Sequence, residues 1–121
     1  MSSKKENPNL FEIRFYEKLV AKRPDFKEAL MALGDLYTRE GLHAEGLRID
    51  QRLASLKPED PIVLYNLACS YSLLNHIELS LEMLKKAVHC GYRDFGYIRE
   101  DDDLTNLRKD ERFQEYFKNI K

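Results

Sequence analysis

The sequence predicts an all-α fold, a stack of helix pairs, on three observations. Apolar residues recur at spacings of three and four from residue 9 to residue 120 with no sustained alternation, the rhythm of amphipathic helices rather than of strands. The chain also repeats itself at an interval of 34 residues. Leu30, Leu33, Gly34, Tyr37 and Leu47 fall on Leu64, Leu67, Ala68, Tyr71 and Leu81, while Pro58 and Leu53 fall back on Pro24 and Leu19. A fixed period of this size marks stacked supersecondary units, each sharing its apolar face with a neighbour because it cannot bury that face alone. Punctuation is the third observation: Gly41 suits the left-handed residue that closes a helix, and Asn75, the next best residue for that conformation, stands in the matching place of the following unit.

Taken in order, residues 1–8 form a polar tail expected to be disordered, and residues 9–121 form a single domain. Residues 9–24 read as one helix, half of a unit, ending at Pro24. Asp25 followed by Glu28 predicts a capping box that opens the unit 27–60. Its second helix carries the stripe Gly46, Ile49, Leu53 and Leu56. Asp60 ahead of Pro61 predicts an N-cap with proline in the first turn, opening the unit 61–94, whose second helix carries Ile77, Leu81, Leu84 and Val88. Both stripes are expected to pack on Leu33, Tyr37, Leu67 and Tyr71. After a helix ending near Cys90 and Gly91, residues 95–121 read as short pieces, "FGYIRE" and "DDLTNLR", then an amphipathic helix with Phe113, Tyr116, Phe117 and Ile120. That end is expected to cap the last exposed seam of the stack.

Leu30-x2-Leu33-Gly34-x2-Tyr37, with Gly46 and Pro58 after it, resembles the tetratricopeptide repeat, whose signature is Trp-x2-Leu-Gly-x2-Tyr, Ala-x3-Phe and Pro. The second copy reads Leu64-x2-Leu67-Ala68-x2-Tyr71, then Ser80-x3-Leu84. The resemblance covers residues 27 to 94, with residues 9 to 24 similar to the second helix of a half repeat and the C-terminal segment similar to those that close bacterial arrays. Leu30 and Leu64 stand where the family has Trp, and Asp50 where it has Phe. The resemblance implies a right-handed α-solenoid of antiparallel helix pairs, with Gly34, Gly46, Ala68 and Ser80 small at the closest helix approaches.

Composition narrows the function. A chain of 121 residues, 43% hydrophobic, is long enough to bury a core without disulfide or metal staples. Twenty basic and 21 acidic residues, evenly mixed, leave no basic stripe, so nucleic acid is not an expected partner. No apolar run is long enough for a signal sequence or a spanning helix, so no membrane partner is expected and the location reads as cytoplasmic. Cys69 and Cys90 match no zinc or redox spacing and read as small apolar fillers.

Catalytic chemistry is not legible. His43, His76 and His89 lie far apart in sequence; there is no nucleophile motif, no phosphate-binding glycine loop and no metalloprotease histidine pair. The expectation is therefore no enzyme, no cofactor and no metal. The acidic run Glu100, Asp101, Asp102, Asp103 fails as an EF-hand, because the loop positions that need glycine and glutamate hold Asn106 and Arg112, and it reads as helix capping instead.

In the resembled family the first helices line a concave groove. Carried onto this chain, that groove is Glu28, Met31, Asp35, Thr38 and Arg39, then Ile62, Tyr65, Asn66, Cys69 and Ser72. These positions sit about 100° around the helix from the core-facing Leu, Gly and Tyr positions. Met31, Ile62 and Tyr65 would form an apolar strip open to a partner, with Tyr65 projecting into the groove and replaceable without harm to the fold. Family members that grip the terminal carboxylate of heat-shock chaperones use cations and asparagines; here those places hold Met31, Asp35, Asn66, Gly96 and Glu100, and only Asn66 matches. Acidic groups repel a carboxylate, so that ligand is disfavoured. The expectation is a noncatalytic protein-interaction module, a scaffold or adaptor holding a peptide or helix of a partner. The alternative is a structural protein that self-associates as a homo-oligomer beside the N-terminal half repeat.

Overall fold

The computed structural model describes residues 7–120. These form eight α-helices and a 3-10 turn, with no strand among the described residues: α1 Pro8–Lys22, α2 Lys27–Arg39, α3 His43–Leu56, α4 Pro61–Leu73, α5 Ile77–His89, α6 Phe95–Glu100, the 3-10 turn Asp102–Leu104, α7 Thr105–Arg108 and α8 Glu111–Lys118. The all-α expectation holds. Of the tail expected to be disordered, residues 1–6 lie outside the described residues; Asn7 caps α1, its side chain accepting from Asn9 N at 2.8 Å, and Pro8 fills the first turn, where its missing N–H costs nothing.

The sequence interval returns as geometry. Gly41 and Asn75 both take the left-handed conformation, φ 77° and 64°. Around them Leu42 N donates to Tyr37 O and His76 N to Tyr71 O, each at 2.8 Å, so two helix ends 34 residues apart close with the same bonds. The α1–α2 and α3–α4 junctions match as well. Arg23 N reaches Leu19 O at 2.9 Å and Lys57 N reaches Leu53 O at 2.8 Å, with φ of −132° and −134° at the two caps. A register read from side chains is thus also written in the backbone.

Asp60 caps α4 as expected, accepting from Ile62 N at 2.9 Å and Val63 N at 3.2 Å. The capping box of Asp25 and Glu28 does not form. Phe26 occupies the N-cap of α2 with no side-chain bond, because Asp25 is turned to Arg52 of α3, 3.1 Å away. A bond across the junction has displaced a local one.

Consecutive helices pack on one another from α1 to α5, and α4 also packs against the 3-10 turn and α7. Close approach is visible at Gly34 of α2, where an added Cβ would lie 3.2 Å from Asp50 Oδ1 and 3.3 Å from Ile49 Cγ2. In the matching place of the next pair, Ser80 Oγ donates to Ala68 O at 2.7 Å. One cluster of buried side chains joins Ile13 of α1 to Leu33, Leu36 and Tyr37 of α2. The largest links Leu64, Leu81 and Leu84 to Ile98, Leu104, Leu107, Phe113 and Phe117, so the C-terminal pieces are part of the core and not an appendage. As a result α2 keeps one open face while α4 is buried on nearly every side.

Candidate functional site

The C-terminal segment decides what is left of the groove. Asp101, between α6 and the 3-10 turn, is 7% exposed. Its Oδ1 accepts from Asp103 N at 3.0 Å, the capping role expected of the acidic run. Its Oδ2 accepts from the Tyr65 hydroxyl at 2.6 Å and from the Cys69 thiol at 3.6 Å. Two further ties hold the same segment to α4: Leu107 N donates to Ser72 Oγ at 3.2 Å and Asn106 Nδ2 to Ser72 O at 3.0 Å. Arg108 then clamps the segment to itself, Nη1 donating to Ile98 O and Asp101 O.

Three of the expected groove residues are therefore corrected. Tyr65 is 4% exposed, with its ring stacked on Tyr92 at 4.2 Å, and does not project into an open groove. Cys69 is 7% exposed and Ser72 fully buried. The reason is one of neighbours: α4 presents these side chains on the expected face, and that face is covered by residues 101–107. Of the remaining members Thr38 is half-buried, its hydroxyl donating to Gly34 O at 3.1 Å, and the others keep their exposure. Met31 and Ile62 are exposed apolar side chains, Asn66 and Glu28 are exposed, and Arg39 forms an exposed ion pair with Asp35 one turn away.

Where α2, α4 and the C-terminal segment meet, a cavity of about 180 Å³ remains, lined among others by Met31, Asp35, Thr38, Tyr65, Asn66 and Cys69. These six are brought together as expected, whereas Glu28, Arg39, Ile62 and Ser72 do not line it. The sequence reading missed Asp50, Ser70, Tyr97, Asp101 and Asp103, which line it together with Gly34, Leu53 and Leu73. Four carboxyl groups thus face one small space, and among the described residues no Lys, Arg or His lines it. The apolar rim is Met31 on one side and Tyr97, 51% exposed, on the other.

Electrostatics follow from the crowding. Burial pushes the Asp50 carboxyl up to about 6, partly opposed by the hydrogen bond it accepts from Ser70 Oγ of α4. Asp103 is also raised, by burial first and by neighbouring Asp101 second. Burial raises the Cys69 thiol well above its ordinary range, with the Asp101 charge adding to it, so it stays protonated. Asp50 was legible as a charge on the apolar stripe of α3; Tyr97 and Asp103 carried no signal that they would come to this place.

The ligand atoms of Cys69, Asp101 and Asp103 lie within 4.8 Å of one another. That spacing could hold a metal ion, yet both Asp101 oxygens already accept hydrogen bonds and the thiol is held in its protonated form, a poor donor set for a metal. The arrangement suits a hydrogen-bonded lock between α4 and the C-terminal segment. His43 opens α3, His76 caps α5 and His89 ends it, so the three histidines sit on separate helix ends. Neither cysteine is in a disulfide.

No protein-family model matches the chain. It is similar to a chloroplastic protein of Arabidopsis thaliana, 33% identical over 105 residues, which cover 84% of this chain and 30% of that protein. The chain spans less than a third of that relative's length. Among the described residues, no helix is long and apolar enough to cross a membrane.

Proposed function

We propose that this chain is a tetratricopeptide-type right-handed α-solenoid of about two and a half repeats, working as a noncatalytic protein-interaction module. The observation that carries the reading is the cavity between α2, α4 and the C-terminal segment, opening between the exposed side chains Met31 and Tyr97. A peptide or helix of a partner lies across this mouth. Met31, Ile62 and Tyr97 give contact area; Asp35, Thr38 and Asn66 orient the segment. Tyr65 and Cys69 act from behind, as the floor. The four carboxyls favour a segment bearing Lys or Arg over one that ends in a carboxylate, the sign of the charge alone deciding it. In this reading the protein is an adaptor or scaffold in the cytoplasm, with neither cofactor nor metal.

The test is affinity capture from the native cell with the wild-type chain, Met31→Glu and Ile62→Glu, each checked for an unchanged melting temperature. Both side chains are exposed, so the variants should fold and should lose the partners that the wild type retains. Equal recovery by all three proteins would move the binding face elsewhere.

A further inference from the structure

Asp50 carries a carboxyl into the core and leaves one of its oxygens without a bond. The residue is 7% exposed, and its Oδ2 accepts from the Ser70 hydroxyl. Among the described residues nothing donates to Oδ1, which lies on the side of Gly34, 3.2 Å from where a Cβ would stand. Gly34 and Asp50 both line the cavity between α2, α4 and the C-terminal segment, so the free oxygen is turned to that space. It is not sealed off. Among the described residues the one side-chain nitrogen or oxygen both fully enclosed and unpartnered is His43 Nδ1. A buried carboxylate oxygen that lacks a donor is costly to keep, and it asks for one.

The walls describe that donor. At about 180 Å³ the cavity is smaller than the roughly 300 Å³ at which pockets for small molecules begin, and it suits one unbranched side chain. At the mouth stand Met31 and Tyr97, and the Tyr97 ring lies 6.1 Å from that of Tyr65, tilted by 38°. A thioether and two rings suit an alkyl stem, and the rings attract a cation. The lining carboxyls set the same sign of charge. Arg39, paired with Asp35, and His43, which acts on Asp103, both stand outside the lining. Asp101 has both oxygens occupied, so the acceptors left among the described residues are Asp50 Oδ1 on α3 and the Asp103 carboxyl on the 3-10 turn. Asp50, the more deeply buried of the two, offers a single oxygen. An ammonium can meet it as a point charge, whereas a guanidinium fork asks for a pair.

We propose that this cavity is a socket for one lysine side chain of a partner segment, its stem held by Met31 and the two tyrosines and its ammonium donating to Asp50 Oδ1 and the Asp103 carboxyl. Resting on the mouth proposed above as the place a partner segment crosses, the socket decides which side chain that segment must carry.

A displayed library of random peptides, selected on the full chain at pH 8, supplies the probe. Enriched sequences should share a lysine, and the tightest is titrated by fluorescence anisotropy beside copies carrying acetyl-lysine, norleucine or arginine in its place. Acetyl-lysine and norleucine should each weaken binding by at least about tenfold, and arginine should also bind more weakly. Asp50→Asn keeps the shape of the side chain and should likewise cost at least about tenfold. Should circular dichroism show that variant misfolded, Asp103→Asn on the half-buried turn decides. Free n-butylamine should not compete with the peptide. Selected sequences with no shared lysine, an acetyl-lysine or arginine copy that binds as well as the lysine peptide, or indifference to both carboxyl variants overturns the proposal. So does butylamine that binds as tightly as the peptide, which would make the ligand a free amine. Loss of cellular partners by Met31→Glu and Ile62→Glu, together with equal binding of the lysine and acetyl-lysine peptides, would leave the groove reading standing and sink the socket alone.

Discussion

Tyr65→Phe removes one oxygen atom and should cost this fold more than most core truncations of that size. The lost hydroxyl donates to Asp101 Oδ2 at 2.6 Å in a place where Asp101 is 7% exposed, so water cannot easily replace it. A hydrogen bond to a carboxylate is worth about 1.5–3 kcal/mol, and the acceptor left behind keeps only the distant Cys69 thiol on that oxygen. For a domain of this length each kcal/mol moves the melting temperature by roughly 3–6 °C, so the variant should melt about 5–18 °C lower. The ring stays, with its stack on Tyr92, so the loss reads the hydroxyl alone. A double-mutant cycle with Asp101→Asn, followed by thermal and urea unfolding, isolates the pair, and the two substitutions should couple by at least about 1 kcal/mol. An unchanged melting temperature for Tyr65→Phe, or strict additivity in the cycle, would refute the lock between α4 and the C-terminal segment.

Asp50 gives a pH signature. Its folded value of about 6 lies above the ordinary 3.8, so its contribution to stability is fully present below pH 4 and is lost as pH rises through 6, on the order of 3 kcal/mol in all. Asp50→Asn should raise the melting temperature at pH 8 and leave it nearly unchanged at pH 4, measured by differential scanning calorimetry; a variant that tracks the wild type at both values would show that Asp50 is not buried. Gly34→Leu should destabilise by about 1–3 kcal/mol in urea titration, since even a Cβ there meets Asp50 and Ile49 within 3.3 Å. A midpoint equal to that of the wild type would remove the assigned register. Deleting residues 110–121 takes away the buried Phe113 and Phe117 and should produce dye binding or aggregation; a truncated chain that stays monomeric and equally stable would make α8 dispensable.

The parts of the structure that were legible in the sequence are those governed by local rules. Gly41 and Asn75 close helices because few residues accept positive φ, and Asp60 with Pro61 starts one because its side chain can reach two free N–H groups. The capping box at Asp25 failed on a long-range competitor, Arg52, which no local pattern reveals. The site was half legible for the same reason. Helical periodicity placed Tyr65, Cys69 and Ser72 on the correct side of α4, but whether that side meets water depends on residues 101–107, more than thirty positions later. Asp50 could be seen as a misplaced charge, while its partner Ser70 looked like any small polar residue.

The central claim is that partners meet the chain at the mouth between Met31 and Tyr97 and reach Ile62, one helical turn before the lining residue Asn66 on α4. A photo-crosslinking residue placed at position 62, and in a separate protein at position 86 on the exposed side of α5, tests it in the living cell. The account predicts discrete adducts from position 62 that disappear when Met31→Glu is added, and none of these from position 86. The same adducts from both positions, or adducts at 62 indifferent to Met31, would contradict it.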